Sequence, residues 1–123
     1  MKLPTCPWCA SPYCDPTSAF HDFLRRHDLH PECISDVGDG WLPLLDTLVS
    51  DLRALGWQGK VGQIKEKFGG LRFYAEGTNG KMRDRILLAE QQSTKICDTC
   101  GQPGQIVRDG RMATRCTAHE LEK

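Results

Sequence analysis

The sequence predicts an α+β fold: a small antiparallel sheet packed by about three helices, with a zinc-ribbon or treble-clef-like element at the C-terminal end and a second zinc site at the start. Three observations predict it. Leucines and a tryptophan recur at helical spacing over 41–55, a Gly-Gly dipeptide divides two alternating runs between 60 and 75, and cysteine pairs at metal-ligand spacing stand at both ends. The 123 residues carry 16 Lys+Arg against 16 Asp+Glu, so the chain is one neutral domain's worth of protein. With 39% hydrophobic and 7% aromatic residues the core is small, and the seven cysteines are the candidates for reinforcing it. Three stretches differ in character: a Cys/His-rich start over 1–35, an α+β middle without cysteine over 36–95, and a Cys-bearing tail over 96–123.

In the first stretch Asp15-Pro16 reads as an N-cap followed by proline at the first helical position. Phe20, Phe23, Leu24 and His27 then share one face, which gives a helix over about 16–28 that ends before His30-Pro31. In the middle, Trp41, Leu44, Leu45, Leu48, Leu52 and Leu55 form the stripe of a core helix over 41–55. Asp39 is its cap and Gly56 its stop. Lys60 to Ala75 reads as a hairpin turning on Gly69-Gly70. Pairing Phe68 with Leu71 places Ile64, Glu66, Phe68, Leu71, Phe73 and Ala75 on the core face, and Lys65, Lys67, Arg72 and Tyr74 on the other. Thr78-Asn79-Gly80 opens a third helix over about 80–92, with Met82, Ile86 and Ala89 inward. In the tail, Ile106 to Ala113 reads as a second hairpin on Asp109-Gly110.

The tail also carries the strongest chemical signal. Cys97-x-x-Cys100-Gly101 followed by Cys116-x-x-His119 supplies four N/S donors from two elbows, the number that closes a tetrahedral zinc shell and leaves no position for a reactive water. Gly101 suits the tight turn after the second cysteine. A second zinc is expected at the start, on Cys6, Cys9, His30 and Cys33, with Cys14 as the main rival ligand and His21 and His27 close in sequence. Cys6-Pro-Trp-Cys9 also resembles a redox dithiol, but Pro12 and Pro16 interrupt the helix such a motif must open.

Glu66 on the apolar face is expected to pair with Arg53, Arg83 or Arg85. Trp41 and Trp57 flank the second helix as core and rim. No nucleophile triad, phosphate-cradling loop or paired-carboxylate motif is present, so nothing in the residues argues for an enzyme or for a small-molecule substrate. No apolar segment is long enough to span a membrane, and the first residues lack the apolar core of a secretory signal. The expected setting is the cytoplasm.

The runs Gly38-Asp-Gly-Trp41, Lys65-Glu-Lys-Phe-Gly-Gly-Leu-Arg-Phe-Tyr74 and Cys97-x-x-Cys-Gly with Cys-x-x-His119 resemble a family of small uncharacterised zinc-binding proteins encoded by bacteriophages and prophages. The resemblance covers about 36–119. It implies a host-cytoplasm setting and an accessory or counter-defence role. Beside it, Lys65, Lys67, Arg72 and Tyr74 form a basic-aromatic face. Such a face either docks on an acidic protein or nucleoprotein partner or is an ordinary solvated strand surface. Arg108 and Arg111 at the tail hairpin extend it. The leading expectation is a non-enzymatic binding protein acting on a host protein or nucleoprotein complex, such as an anti-defence inhibitor of a CRISPR complex. The alternatives are a DNA- or RNA-binding accessory protein of phage gene expression or replication, and a metal-dependent nuclease using Glu66. Zero net charge weighs against a general nucleic-acid binder.

Overall fold

The computed structural model describes residues 19–30, 33–34, 37–109 and 111–119, with backbone alone at 33–34, 108–109 and 111. The architecture is α+β, as the sequence predicts. Helix α1 (Ala19–His27) is followed by a short strand β1 (Cys33–Ile34), a 3-10 turn (Asp39–Trp41) that runs into α2 (Leu42–Ala54), strands β2 (Val61–Lys67) and β3 (Gly70–Ala75), α3 (Gly80–Ser93), and the tail strands β4 (Gln105–Asp109) and β5 (Arg111–Arg115).

Helix α2 buries Leu45, Leu48, Val49 and Leu52 completely. These meet Phe23 and Leu24 of α1, Ile64 and Leu71 of the sheet, and Met82, Ile86 and Ala89 of α3 in one core. Trp41 ties that core to the tail: its ring is fully buried and its indole N–H donates to the Ile96 carbonyl at 2.9 Å. Trp57 is equally buried, 5.8 Å from Phe73 in an edge-on contact, and donates to the Glu76 carbonyl. Both tryptophans satisfy their polar edge inside the core.

The three-stranded sheet has the order β1-β2-β3, and β1 pairs with β2 in parallel, Cys33 opposite Gln63. A parallel neighbour requires a crossover, and α2 supplies it. Two residues of strand carry too little periodicity to be seen in sequence. The β2–β3 hairpin also differs in register from expectation: Lys67 pairs with Gly70 and Glu66 with Leu71, so the turn is Phe68-Gly69. Both turn residues have positive φ, 54° and 85°, as in the type I′ turns that match strand twist. The shift preserves parity, so Ile64 and Phe73 stay on the core face while Lys65 and Arg72 stay outside, but Phe68 leaves the core and is 65% exposed. A bulge between Val61 and Gln63 then returns Val61 to the buried face.

The free edge of β3 is covered by side chains of α3. Ser93 Oγ accepts from the Leu71 N–H at 2.8 Å, and Glu90 Oε2 from the Phe73 N–H at 3.0 Å. Asn79 caps α3 through the Met82 N–H, in line with the expected start of this helix. Asp39 makes no cap: it is the first residue of the 3-10 turn, and no side-chain cap bond is formed there. In the tail hairpin Asp109 is opposite Arg111 and Arg108 opposite Met112, one residue from the expected register. Contacts hold it there: the Thr114 hydroxyl donates to the Gly69 carbonyl, and the Asp98 N–H donates to the Thr114 carbonyl. Among the described residues no helix is long and apolar enough to cross a membrane.

Candidate metal centre and basic hairpin face

The first elbow forms because the chain after α3 turns sharply. The Cys97 N–H donates to the Gln102 carbonyl, the Gly101 N–H returns to the Cys97 carbonyl, and Gly101 takes a φ of 82° that a side chain would strain. The second elbow follows β5, where the His119 N–H donates to the Cys116 carbonyl at 3.0 Å. The β4–β5 hairpin brings the two together. Cys97 Sγ lies 3.6 Å from His119 Nδ1, Cys100 Sγ 3.6 Å from Cys116 Sγ, and Cys116 Sγ 3.1 Å from His119 Nδ1. All four donor atoms lie within 4.8 Å of one another. Around a zinc ion with ordinary bond lengths, tetrahedral S and N donors stand about 3.5–3.8 Å apart. The cluster therefore has the dimensions of a metal site and needs little closure to hold one.

The electrostatics favour ligation. Burial raises the Cys97 pKa, but backbone N–H groups of Cys116, Cys100 and Thr99 aimed at its sulfur outweigh burial and bring it down to about 6. Burial also opposes ionisation of Cys116, where hydrogen bonds from His119 and Cys100 prevail and lower its pKa. The same bond from Cys116 raises the pKa of His119. At Cys100 the Gln102 backbone pulls downward, while burial and the neighbouring sulfurs together raise the thiol above its usual range. Thiolate character thus concentrates on Cys97 and Cys116, one from each elbow.

The knuckle is fastened to the core by the Gly-Asp-Gly-Trp segment. The Gly40 N–H donates to the Asp98 carbonyl at 2.9 Å. A Cβ at Gly38 would collide with the Asp98 carbonyl, and one at Gly40 with the Cys97 carbonyl and the Gly101 nitrogen. These glycines are required because two backbones pass in direct contact. Arg115 Nε adds an ion pair to Asp98 at 3.4 Å. The sequence marks the motif but not its neighbour, which is 58 positions away at Asp98 from Gly40.

The expected N-terminal ligand set lies largely outside the described residues. Cys6, Cys9 and Cys14 lie outside the described residues, and Cys33 is described by its backbone in β1. His30 Nε2 stands 2.9 Å from Asp28 Oδ1. Of the nearby histidines, His27 is 2.9 Å from Asp46 Oδ1 and packs on Phe23, while His21 is buried in the α1 face. Those contacts give His27 a structural partner.

On the outer face of the hairpin, Lys65 and Arg72 are cross-strand neighbours. Lys65 Nζ sits 5.7 Å from the Tyr74 ring centroid, and Lys67 Nζ 5.4 Å from that of Phe68. Among the described residues Lys65, Lys67 and Arg72 form no salt bridge. Arg108 and Arg111 flank position 110, and their side chains lie outside the described residues. The face predicted from sequence omits Phe68 because its register points that ring inward; a glycine at 69, which suits either position of a two-residue turn, is the signal that the turn can start one residue earlier. Among the described residues Glu66 has no arginine partner: its Oε1 accepts from the Gly69 N–H at 3.3 Å, so it closes the turn instead.

Fold and cluster together define a small α+β protein with a Cys3His knuckle suited to a metal such as zinc. Comparison with family models, with curated proteins and with solved structures gave no match.

Proposed function

We propose that this chain is a non-enzymatic, zinc-stabilised binding protein of bacteriophage or prophage origin. It acts in the host cytoplasm by docking on a host protein or nucleoprotein complex, with inhibition of a CRISPR complex as the leading case. The observation that carries the binding reading is Phe68: a large apolar side chain, 65% exposed, at a positive φ where Asn or Gly would be unstrained. Among the described residues the strained, exposed ring has no part in the core, and such outliers cluster where function requires them. Lys67 lies over its ring, and Lys65, Arg72 and Tyr74 continue the same hairpin with cations and a second aromatic, the composition of an interface anchor. The four-donor cluster in the tail would hold zinc as a closed structural site. A second zinc on Cys6, Cys9, His30 and Cys33 belongs to the same proposal, and elemental analysis of the folded protein would find two equivalents.

The test is phage plating on a host carrying a CRISPR system, with the chain expressed from a plasmid. Restored plating that Phe68→Asn or the pair Lys65→Glu and Arg72→Glu abolishes would support the reading. Unchanged plating with every variant would overturn it. Alternating cations and aromatics also suit stacked bases. Binding to single-stranded oligonucleotides that collapses steeply with added salt would favour the nucleic-acid alternative over the protein partner.

A further inference from the structure

We infer that the outward face of α3 pairs two copies of this chain, antiparallel and about a two-fold axis, with Leu87 and Leu88 of each copy at the centre. Helix α3 is apolar on two sides. Met82, Ile86 and Ala89 are buried in the core, while Leu87 and Leu88 point away from it, 53% and 47% exposed. A leucine exposed singly is ordinary, but two adjacent ones on the same helix form a patch that association would cover. Beside them lies a shallow groove of about 560 Å³, lined by both leucines with Arg72 of β3 and with Glu90, Gln91 and Thr94, where a side chain of the facing helix can enter.

The order of charges along the helix identifies the occupant as a second copy. Asp84, Leu88, Gln91 and Lys95 recur at the 4-3-4 spacing of a helix-pairing seam, acidic at the N-terminal end, apolar in the middle and basic at the C-terminal end. Lys95 lies just past α3, but its N–H donates to the Gln92 carbonyl at 3.0 Å and its side chain lines the same groove as the leucines. Asp84 and Lys95 are both exposed, and neither forms a salt bridge among the described residues. Such a seam is complementary to itself when reversed. A second α3 turned end for end brings its Lys95 opposite Asp84 and its Gln91 opposite Leu88, and the two-fold axis repeats both contacts. The two copies of Leu88 then stand about 4.5 Å apart along the helix axis, at 1.5 Å per residue. A parallel pair would instead set Asp84 against Asp84 and Lys95 against Lys95, which repel.

The contact is small. Helix α3 has 14 residues and so spans about 21 Å. One helix against another of that length falls short of the roughly 1,200 Å² at which standard interfaces begin. The two exposed ion pairs select the register more than they add affinity. The expected dissociation constant is accordingly on the order of 100 μM.

This inference is independent of the proposed host partner, since the second copy is the ligand. It is tested by sedimentation equilibrium of the full chain from about 10 μM to about 1 mM, under reducing conditions so that disulfides between copies do not mimic association. The expected result is a reversible monomer–dimer equilibrium. Leu87→Ser with Leu88→Ser should leave the chain monomeric throughout with an unchanged thermal melt. Asp84→Lys should weaken the dimer roughly tenfold, and adding Lys95→Asp to the same chain should restore it, because the reversed seam is again complementary to itself. If the leucine pair lowers the melt, the charge reversal still decides, as both of its positions are exposed. A monomer at every concentration, a dimer that keeps its affinity without the leucines, one that Phe68→Asn dissociates in their place, or a double charge variant as weak as Asp84→Lys alone would each overturn the assignment.

Discussion

Phe68 and Gly40 show how differently single residues can depart from what local sequence favours. Phe68 sits at the first turn position of a hairpin with a φ of 54°, where Asn is the favoured residue. Phe68→Asn should therefore raise stability in urea by about 0.5–1 kcal/mol while removing the exposed ring from the proposed interface. A loss of stability would show that the ring is structural. Gly40 obeys the opposite constraint. Its Cα faces backbone atoms of Cys97 and Gly101 that cannot give way, so Gly40→Ala should lower stability by at least about 1–3 kcal/mol and weaken metal binding together. A thermal melt and a zinc competition titration read the two effects on one sample.

Among the elements, β3 owes its position to α3 as much as to its hairpin. Among the described residues the Leu71 N–H has no strand to receive it and uses the fully buried Ser93 hydroxyl, which in turn donates to the Glu90 carbonyl. Ser93→Ala leaves a buried donor unpaired and should cost about 1–3 kcal/mol, visible as loss of hydrogen-exchange protection at Leu71. Ser93→Thr, which keeps the acceptor, should preserve that protection if the extra methyl is accommodated. The register of the first hairpin is decided in the same way. Gly69 meets the backbone of Ala113 and its carbonyl accepts from Thr114, so the turn is clamped by a strand far along the chain. Gly-Gly alone is equally compatible with either turn, and tertiary contact selects one.

At the scale of the molecule the knuckle is a brace, because Trp41, Gly40 and Asp98 connect it to the helix at the centre of the core. A metal such as zinc held there would contribute directly to folding. Cys97→Ser or chelation should therefore unfold the tail and also loosen the environment of Trp41, with a red shift of tryptophan fluorescence accompanying metal release. Full thermal stability without metal would contradict a structural site. Proton competition has a definite sign: the imidazole of His119, raised through Cys116, and the thiols must lose protons to ligate, so metal affinity falls on acidification. Zinc release measured with a chromogenic chelator should increase as pH is lowered and reverse on neutralisation.

Composition and periodicity by themselves determined the α+β class, the extents of α2 and α3 and the four tail donors, because helical stripes and elbow spacings are local patterns a few residues long. They also separated the cationic from the apolar side of the hairpin, since that division depends only on parity. The tertiary structure alone decided that β1 joins the sheet in parallel, that Phe68 faces solvent, that Glu66 bonds a turn amide, and that the Gly-Asp-Gly-Trp segment lies against the knuckle. Each of these depends on a contact between distant positions, and no local preference distinguishes the observed partner from its rivals.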